Sequence, residues 1–166
     1  LGHPSLDEIF AYRPSGAVRV RDFLAEVEAL AALLPAGRHQ LNVCQDRYRF
    51  TVGLAAGMVS GKTSLQPASQ SAETLRQIKT ACPDVYCLCD SDFDHLDLAR
   101  LDFPQRVAVN AEKVAKIPAI PADFEAVQLF TSGSTGTPVA HVKTWGLLVL
   151  NGRAEAQRLA LLDQPH

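Results

Sequence analysis

Residues Leu129 to Pro138 read Leu-Phe-Thr-Ser-Gly-Ser-Thr-Gly-Thr-Pro, an apolar run that ends in a loop of glycines, small hydroxyls and a proline. Gly133 and Gly136 permit positive φ and let backbone N–H groups converge with no Cβ in the way. The hydroxyls of Ser132, Ser134 and Thr135 add donors that reach phosphate oxygens. The same composition also suits a plain linker. Position argues for a site: the loop follows the strand pattern Ala126 to Phe130 and leads into Val139 to Val142 and an apolar helix pattern over Trp145 to Leu150. Functional loops of α/β sheets lie at strand ends.

Upstream, strand and helix patterns alternate. Val20, Phe23, Leu24, Val27, Leu30, Ala31 and Leu34 recur at helical spacing, and Pro35-Ala-Gly37 breaks the pattern. Gln40 to Cys44 reads as a short strand, and Asp46 stands at the N-cap position of a helix running to about Met58. Thr63 to Gln66 predicts a strand, Ser71 caps a helix over Ala72 to Ala81, and Val85 to Cys89 predicts another strand. Arg106 to Val109 reads as one more strand, Lys113 to Pro121 as a proline-punctuated connection, and Phe124 to Thr131 as an extended run into the loop. The alternation predicts an α/β fold with a largely parallel sheet flanked by helices, because helical crossovers join parallel strands.

Composition bounds the function. The 166 residues suffice for one domain, and 47% hydrophobic with 20% charged residues is globular. Sixteen basic and 18 acidic side chains leave a formal charge of -2, so no overall field draws nucleic acid or an anionic membrane, and small ligands are the expected partners. No apolar run approaches the ~20 residues of a membrane span. Cys44, Cys82, Cys87 and Cys89 form no CxxC pair, which suits buried structural thiols in a reducing, cytoplasmic setting; Cys87 and Cys89 fall on one face of their strand. The chain opens Leu1-Gly-His without methionine, as a fragment would.

Two motifs tempt and fail. Gly57 to Thr63 looks like a phosphate-gripping Walker loop, but Ala56 occupies the place of its first glycine, and the segment lies between a helix and a strand, the reverse of the order that aims a helix dipole at an anion. A glycine turn after the helix is the better reading. Asp90-Ser-Asp-Phe-Asp-His95 begins like a calcium loop, yet His95 replaces the turn glycine and Leu101 the closing glutamate. Asp92, Asp94, His95 and Asp97 therefore read as a solvated turn. No metal site is assigned.

The order of residues from Phe130 to Pro138 closely resembles the signature loop of the adenylate-forming superfamily, which holds acyl-CoA synthetases, fatty acyl-AMP ligases, luciferases and the adenylation domains of peptide synthetases. That pattern runs Tyr/Phe-Thr-Ser-Gly-Ser/Thr-Thr-Gly-x-Pro-Lys. A looser, collinear likeness covers the helix over residues 20 to 34, the stretch Val43 to Ser69, where a helix rich in small residues passes through a glycine turn into a strand ending near Pro67-Ala-Ser69, and the helix of Ser-x-x-Glu/Thr type that follows. The resemblance spans most of the chain, with its specific part confined to about ten residues.

By that resemblance, the chain is the N-terminal segment of an AMP-binding domain, residues 1–166, ending before the adenine pocket, the Mg²⁺-binding glutamate, the ribose-binding aspartate and the C-terminal domain with its catalytic lysine. It implies an ATP- and Mg²⁺-dependent ligase that activates an acyl or aryl carboxylic acid as its adenylate, for transfer to CoA or a carrier protein. Thr131, Ser132, Gly133, Ser134, Thr135 and Gly136 would hold the β- and γ-phosphates. One position departs: Val139 stands where the pattern has lysine. Lys143 and the nearer His141 share a strand face with it if residues 139 to 143 are extended, Lys143 about 13 Å away. Either is a candidate substitute cation. The segment alone is expected to be inactive, and the alternative reading is a nucleotide-, anion- or partner-binding α/β module without chemistry.

Overall fold

A computed structural model describes residues 5–92, 98–105, 110–114, 116–131 and 139–161. A hairpin of β1 (Ile9–Arg13) and β2 (Gly16–Arg19) leads into α1 (Val20–Ala31). Then follow β3 (His39–Asn42), α2 (Arg47–Val59), β4 (Thr63–Pro67), α3 (Ala72–Ala81), β5 (Tyr86–Cys89), β6 (Ala99–Asp102), a 3₁₀ turn at Ala111–Lys113, β7 (Glu125–Thr131), β8 (Val139–Thr144) and α4 (Trp145–Arg158). The six strands after the hairpin form one sheet in the order β6-β5-β3-β4-β7-β8. All neighbours are parallel except β7 and β8. The expected α/β class with a largely parallel sheet is thus what the chain adopts.

Alternation along the strands divides the core in two. Leu41, Val43, Leu65, Cys87, Cys89 and Phe130 face α3, whose Leu75 and Ile78 are buried among them. Leu88 faces the opposite side and packs with α1 and α2 through Val20, Phe23, Val27, Leu30, Val52 and Ala56. α1 is a plainly amphipathic helix, as its spacing predicts. α2 is held differently. Its sheet-facing side is small, and a Cβ on Gly53 would stand 2.5 Å from Leu88 Cδ2 and 2.8 Å from Asn42 Nδ2. Close approach brings the helix backbone within reach of buried amides: Gln40 Nε2 donates to the Gly53 carbonyl at 3.1 Å and Asn42 Nδ2 to that of Phe50 at 2.9 Å. Tyr86 Oη completes the set by donating to Gln40 Oε1 at 2.9 Å. Buried amides need such partners, since leaving one unmade costs about 1–3 kcal/mol. Among the described residues no buried side-chain nitrogen or oxygen lacks a partner.

The predicted caps form. Asp46 and Ser71 accept hydrogen bonds from the backbone N–H groups of Arg49 and Thr74, closing the first turns of α2 and α3. Gly61, at φ +70°, makes the turn between α2 and β4. Lys62 beside it lies at the amino end of β4, where its Nζ donates to the carbonyls of Pro35 and Gly37 at 2.6 and 2.7 Å and sits 5.5 Å from the Tyr86 ring centroid. The lysine of the false Walker motif thus ties two loops together. The β1–β2 hairpin has no counterpart in the sequence expectations, and neither does β6. The strand expected over Arg106 to Val109 falls outside the described residues, as do Asp94, His95 and Asp97; Asp92 is exposed.

Candidate phosphate-binding site

β7 enters the sheet on apolar residues, with Ala126, Val127 and Phe130 buried. It pairs in parallel with β4, Ser64 beside Val127 and Gln66 beside Leu129, and antiparallel with β8. The register with β8 sets Thr131 opposite Val139, Leu129 opposite His141 and Val127 opposite Lys143. The segment Ser132 to Pro138 is therefore the connection of a hairpin whose stem closes at Thr131 and Val139. It leaves the sheet at the carboxyl end of β7, the end at which ligands of open α/β sheets sit. Ser132, Gly133, Ser134, Thr135 and Gly136 themselves lie outside the described residues, so the described part of the expected phosphate set is Thr131 and Lys143.

Opposed residues in an antiparallel pair share a face. Val127, Leu129, Thr131, Val139, His141 and Lys143 thus occupy the side of the sheet on which Gln40 and Asn42 meet α2. Thr131 and His141 are exposed, and Thr131 Oγ1 lies 3.4 Å from His141 Nε2. Lys143 shares that face, one pleat beyond His141 and about 13 Å from position 139 along the strand. α4 follows at once: Thr144 Oγ1 accepts from the Leu147 N–H at 3.4 Å, and the N–H groups of Trp145 and Gly146 donate to the carbonyls of Phe124 and Ala122, each at 2.8 Å. These bonds tie the far end of the stem to the turn before β7.

The same carboxyl edge holds the amino terminus of α2, and the chain caps that one itself. The Asp90 carboxylate, 4% exposed, accepts the backbone N–H groups of Gln45 at 2.8 Å and Asp46 at 3.0 Å, with Arg49 Nη1 3.9 Å away. A carboxylate there satisfies two orphan donors and the helix dipole together. Sequence reasoning placed Asp90 in a would-be calcium loop and missed this role, because its partners are more than 40 residues away in the chain. The amino end of α2 is thus already capped by a carboxylate of the chain itself.

The cysteines lie in the core. All four are buried and unpaired with one another. Burial pushes the Cys44 and Cys87 thiols up to about 12 and raises Cys82 and Cys89 as well, the last helped by a hydrogen bond to Asp102. Thiols held protonated by burial suit a packing role. Among the described residues no group of three His, Cys, Asp or Glu side chains is placed to hold a metal ion, and no helix is long and apolar enough to cross a membrane.

No protein-family model matches the sequence, and no curated protein matches it. Solved structures do match the fold. The N-terminal subdomain of NpsA from Klebsiella oxytoca, in complex with 3-hydroxybenzoyl-AMSN, superposes with a TM-score of 0.61 at 18% identity, over 83% of this chain and 37% of that one. The o-succinylbenzoate CoA synthetase MenE from Bacillus subtilis, in complex with ATP and magnesium, gives 0.68 at 18% identity, over 92% and 44%. MatB from Rhodopseudomonas palustris gives 0.67 at 15% identity, over 94% and 35%. The chain thus spans less than half the length of each of these three. NpsA, MenE and MatB are adenylate-forming enzymes. Over the stretch it covers, this chain has the fold of the N-terminal domain of adenylate-forming enzymes.

Proposed function

We propose that the chain is the phosphate-gripping N-terminal part of an ATP-dependent acid ligase, which activates an acyl or aryl carboxylic acid as its adenylate for transfer to CoA or a carrier-protein thiol in the cytoplasm. One observation carries the reading: the sequence Thr131-Ser-Gly-Ser-Thr-Gly136 connects β7 and β8 at the carboxyl edge of a sheet with the adenylate-forming fold. Backbone N–H groups and the hydroxyls of Thr131, Ser132, Ser134 and Thr135 would grip the β- and γ-phosphates while the carboxylate attacks the α-phosphorus. Their work is positioning and charge stabilisation. The described donors at the stem, a hydroxyl and an imidazole, suit phosphate oxygens; a hard cation prefers carboxylate and carbonyl oxygen. Mg²⁺ would therefore arrive with ATP and share in neutralising the phosphates, Lys143 adding positive charge from farther down the strand.

The test has two arms. The 166-residue chain is expected to bind MgATP measurably by calorimetry, to lose that binding on Gly133→Val, and to catalyse no acid-dependent pyrophosphate exchange with any carboxylic acid. Absence of binding by the folded chain contradicts the phosphate-site reading, and exchange by these residues alone contradicts the view that they are an incomplete enzyme. Val139 in the lysine position favours a second reading, a nucleotide- or anion-binding module without chemistry. Exchange activity in a polypeptide carrying residues beyond His166 would reject it.

A further inference from the structure

Resting on the phosphate-site reading above, we propose that His141 is the anion-contacting cation of this loop. Its imidazole would stand in for the lysine absent at position 139 and couple anion binding to proton uptake.

The placement follows from register. Position 139 closes the stem opposite Thr131, and the next residue of β8 on the same face is His141. Its Nε2 comes within 3.4 Å of Thr131 Oγ1, the first hydroxyl of the proposed grip. That separation is long beside the ~2.8 Å of a firm hydrogen bond, so neither group is committed to the other. Both are exposed. Once the imidazole is protonated, its Nε2–H and the threonine O–H are two adjacent donors from neighbouring strands, an arrangement in which one phosphate oxygen can accept from both. Valine at 139 can offer no such donor.

The charged surroundings favour this role. Lys143 lies on the same face one pleat away and adds positive potential. β4, on the other side of β7, carries no ionisable side chain between Thr63 and Pro67. On β7 the ionisable residue is Glu125, opposite Thr144 and four residues, about 13 Å, from Leu129, the partner of His141. α4, which follows β8, carries Arg153, Glu155 and Arg158 in its second half, away from its anchored first turn. At the stem itself, no carboxylate on these strands competes with an anion for the imidazole.

Histidine is the side chain whose charge changes between about pH 5 and 8, so the grip would tighten as pH falls through that window. The test uses the folded 166-residue chain with sulfate, whose charge is constant over this range, and with inorganic pyrophosphate. Sulfate affinity is expected to rise about fivefold or more from pH 8 to pH 5.5, to lose that dependence in His141→Gln, and to become strong and nearly flat in the double variant Val139→Lys, His141→Gln. In ring-proton NMR spectra at pH 5.5, pyrophosphate is expected to move the His141 resonances and leave those of His39 in place. Unmoved His141 resonances, or the same pH dependence in His141→Gln, overturn the proposal and leave the phosphate-site reading standing if binding persists. No binding of sulfate, pyrophosphate or MgATP at any pH overturns both.

Discussion

At the residue scale, the hydrogen bond between His39 and Asp84 at the amino end of the sheet links pH to stability. Asp84 accepts from His39 Nδ1 at 2.6 Å and from the Arg38 N–H at 2.7 Å, and the hydrogen bond to His39 holds its carboxyl below the usual carboxylate value. A group depressed in this way stabilises the fold above its unfolded pKa, near 4, and loses that contribution as pH falls through its lower folded value. Urea unfolding of Asp84→Asn should therefore show a deficit at pH 7 that shrinks towards zero below about pH 4. Because Asp84 is largely exposed, the deficit should be about 1 kcal/mol or less. A deficit equal at pH 7 and pH 3 would mean the loss comes from packing. Single residues were also where sequence reading succeeded or failed most sharply. Asp46 and Ser71 were legible as caps because a cap acts on the backbone three residues away. Asp90 and Lys62 were not, since each satisfies backbone groups that only the folded chain brings near.

At the scale of elements, α2 is the informative case. Its sequence is only weakly amphipathic, yet it packs against β3 through Gly53 and Gly57, and Gln40 and Asn42 reach its carbonyls across the narrow gap. Gly53→Ala improves intrinsic helix propensity by about 1 kcal/mol. Overpacking against Leu88 and Asn42 opposes it by about 1–3 kcal/mol. We expect a net loss of up to about 2 kcal/mol in thermal or urea unfolding; a stabilised variant would contradict the close packing. Helices α1 and α3 were readable because each presents a simple period to a core, and strands β3, β4 and β5 because each is a short run, buried on both faces, set between helix patterns. The β1–β2 hairpin and β6 were not, being short and largely exposed: Tyr12 is 68% exposed. α4 extends to Arg158, past the apolar pattern ending at Leu150, and among its described residues Ala156 alone is buried. Helices that bury so little leave little periodic trace of where they end.

For the whole molecule, the loop Thr131 to Pro138 carried most of what the sequence had to say about function, and the structure adds its frame: a hairpin connection at the carboxyl edge of a sheet shared with NpsA, MenE and MatB. What sequence could not supply was the alignment of strands. The register that brings His141 to Thr131, and the carboxylate that already occupies the neighbouring helix end, follow from pairings across the sheet. The central claim is that this loop grips the phosphates of ATP. Backbone amide NMR of the 166-residue chain titrated with MgATP tests it most directly. The account predicts that the largest shift changes fall on Thr131 to Gly136 and on His141, with α1 and α3 unmoved. A folded chain whose loop amides stay in place while MgATP is added to saturating excess, or whose changes centre on another part of the sheet, would contradict it.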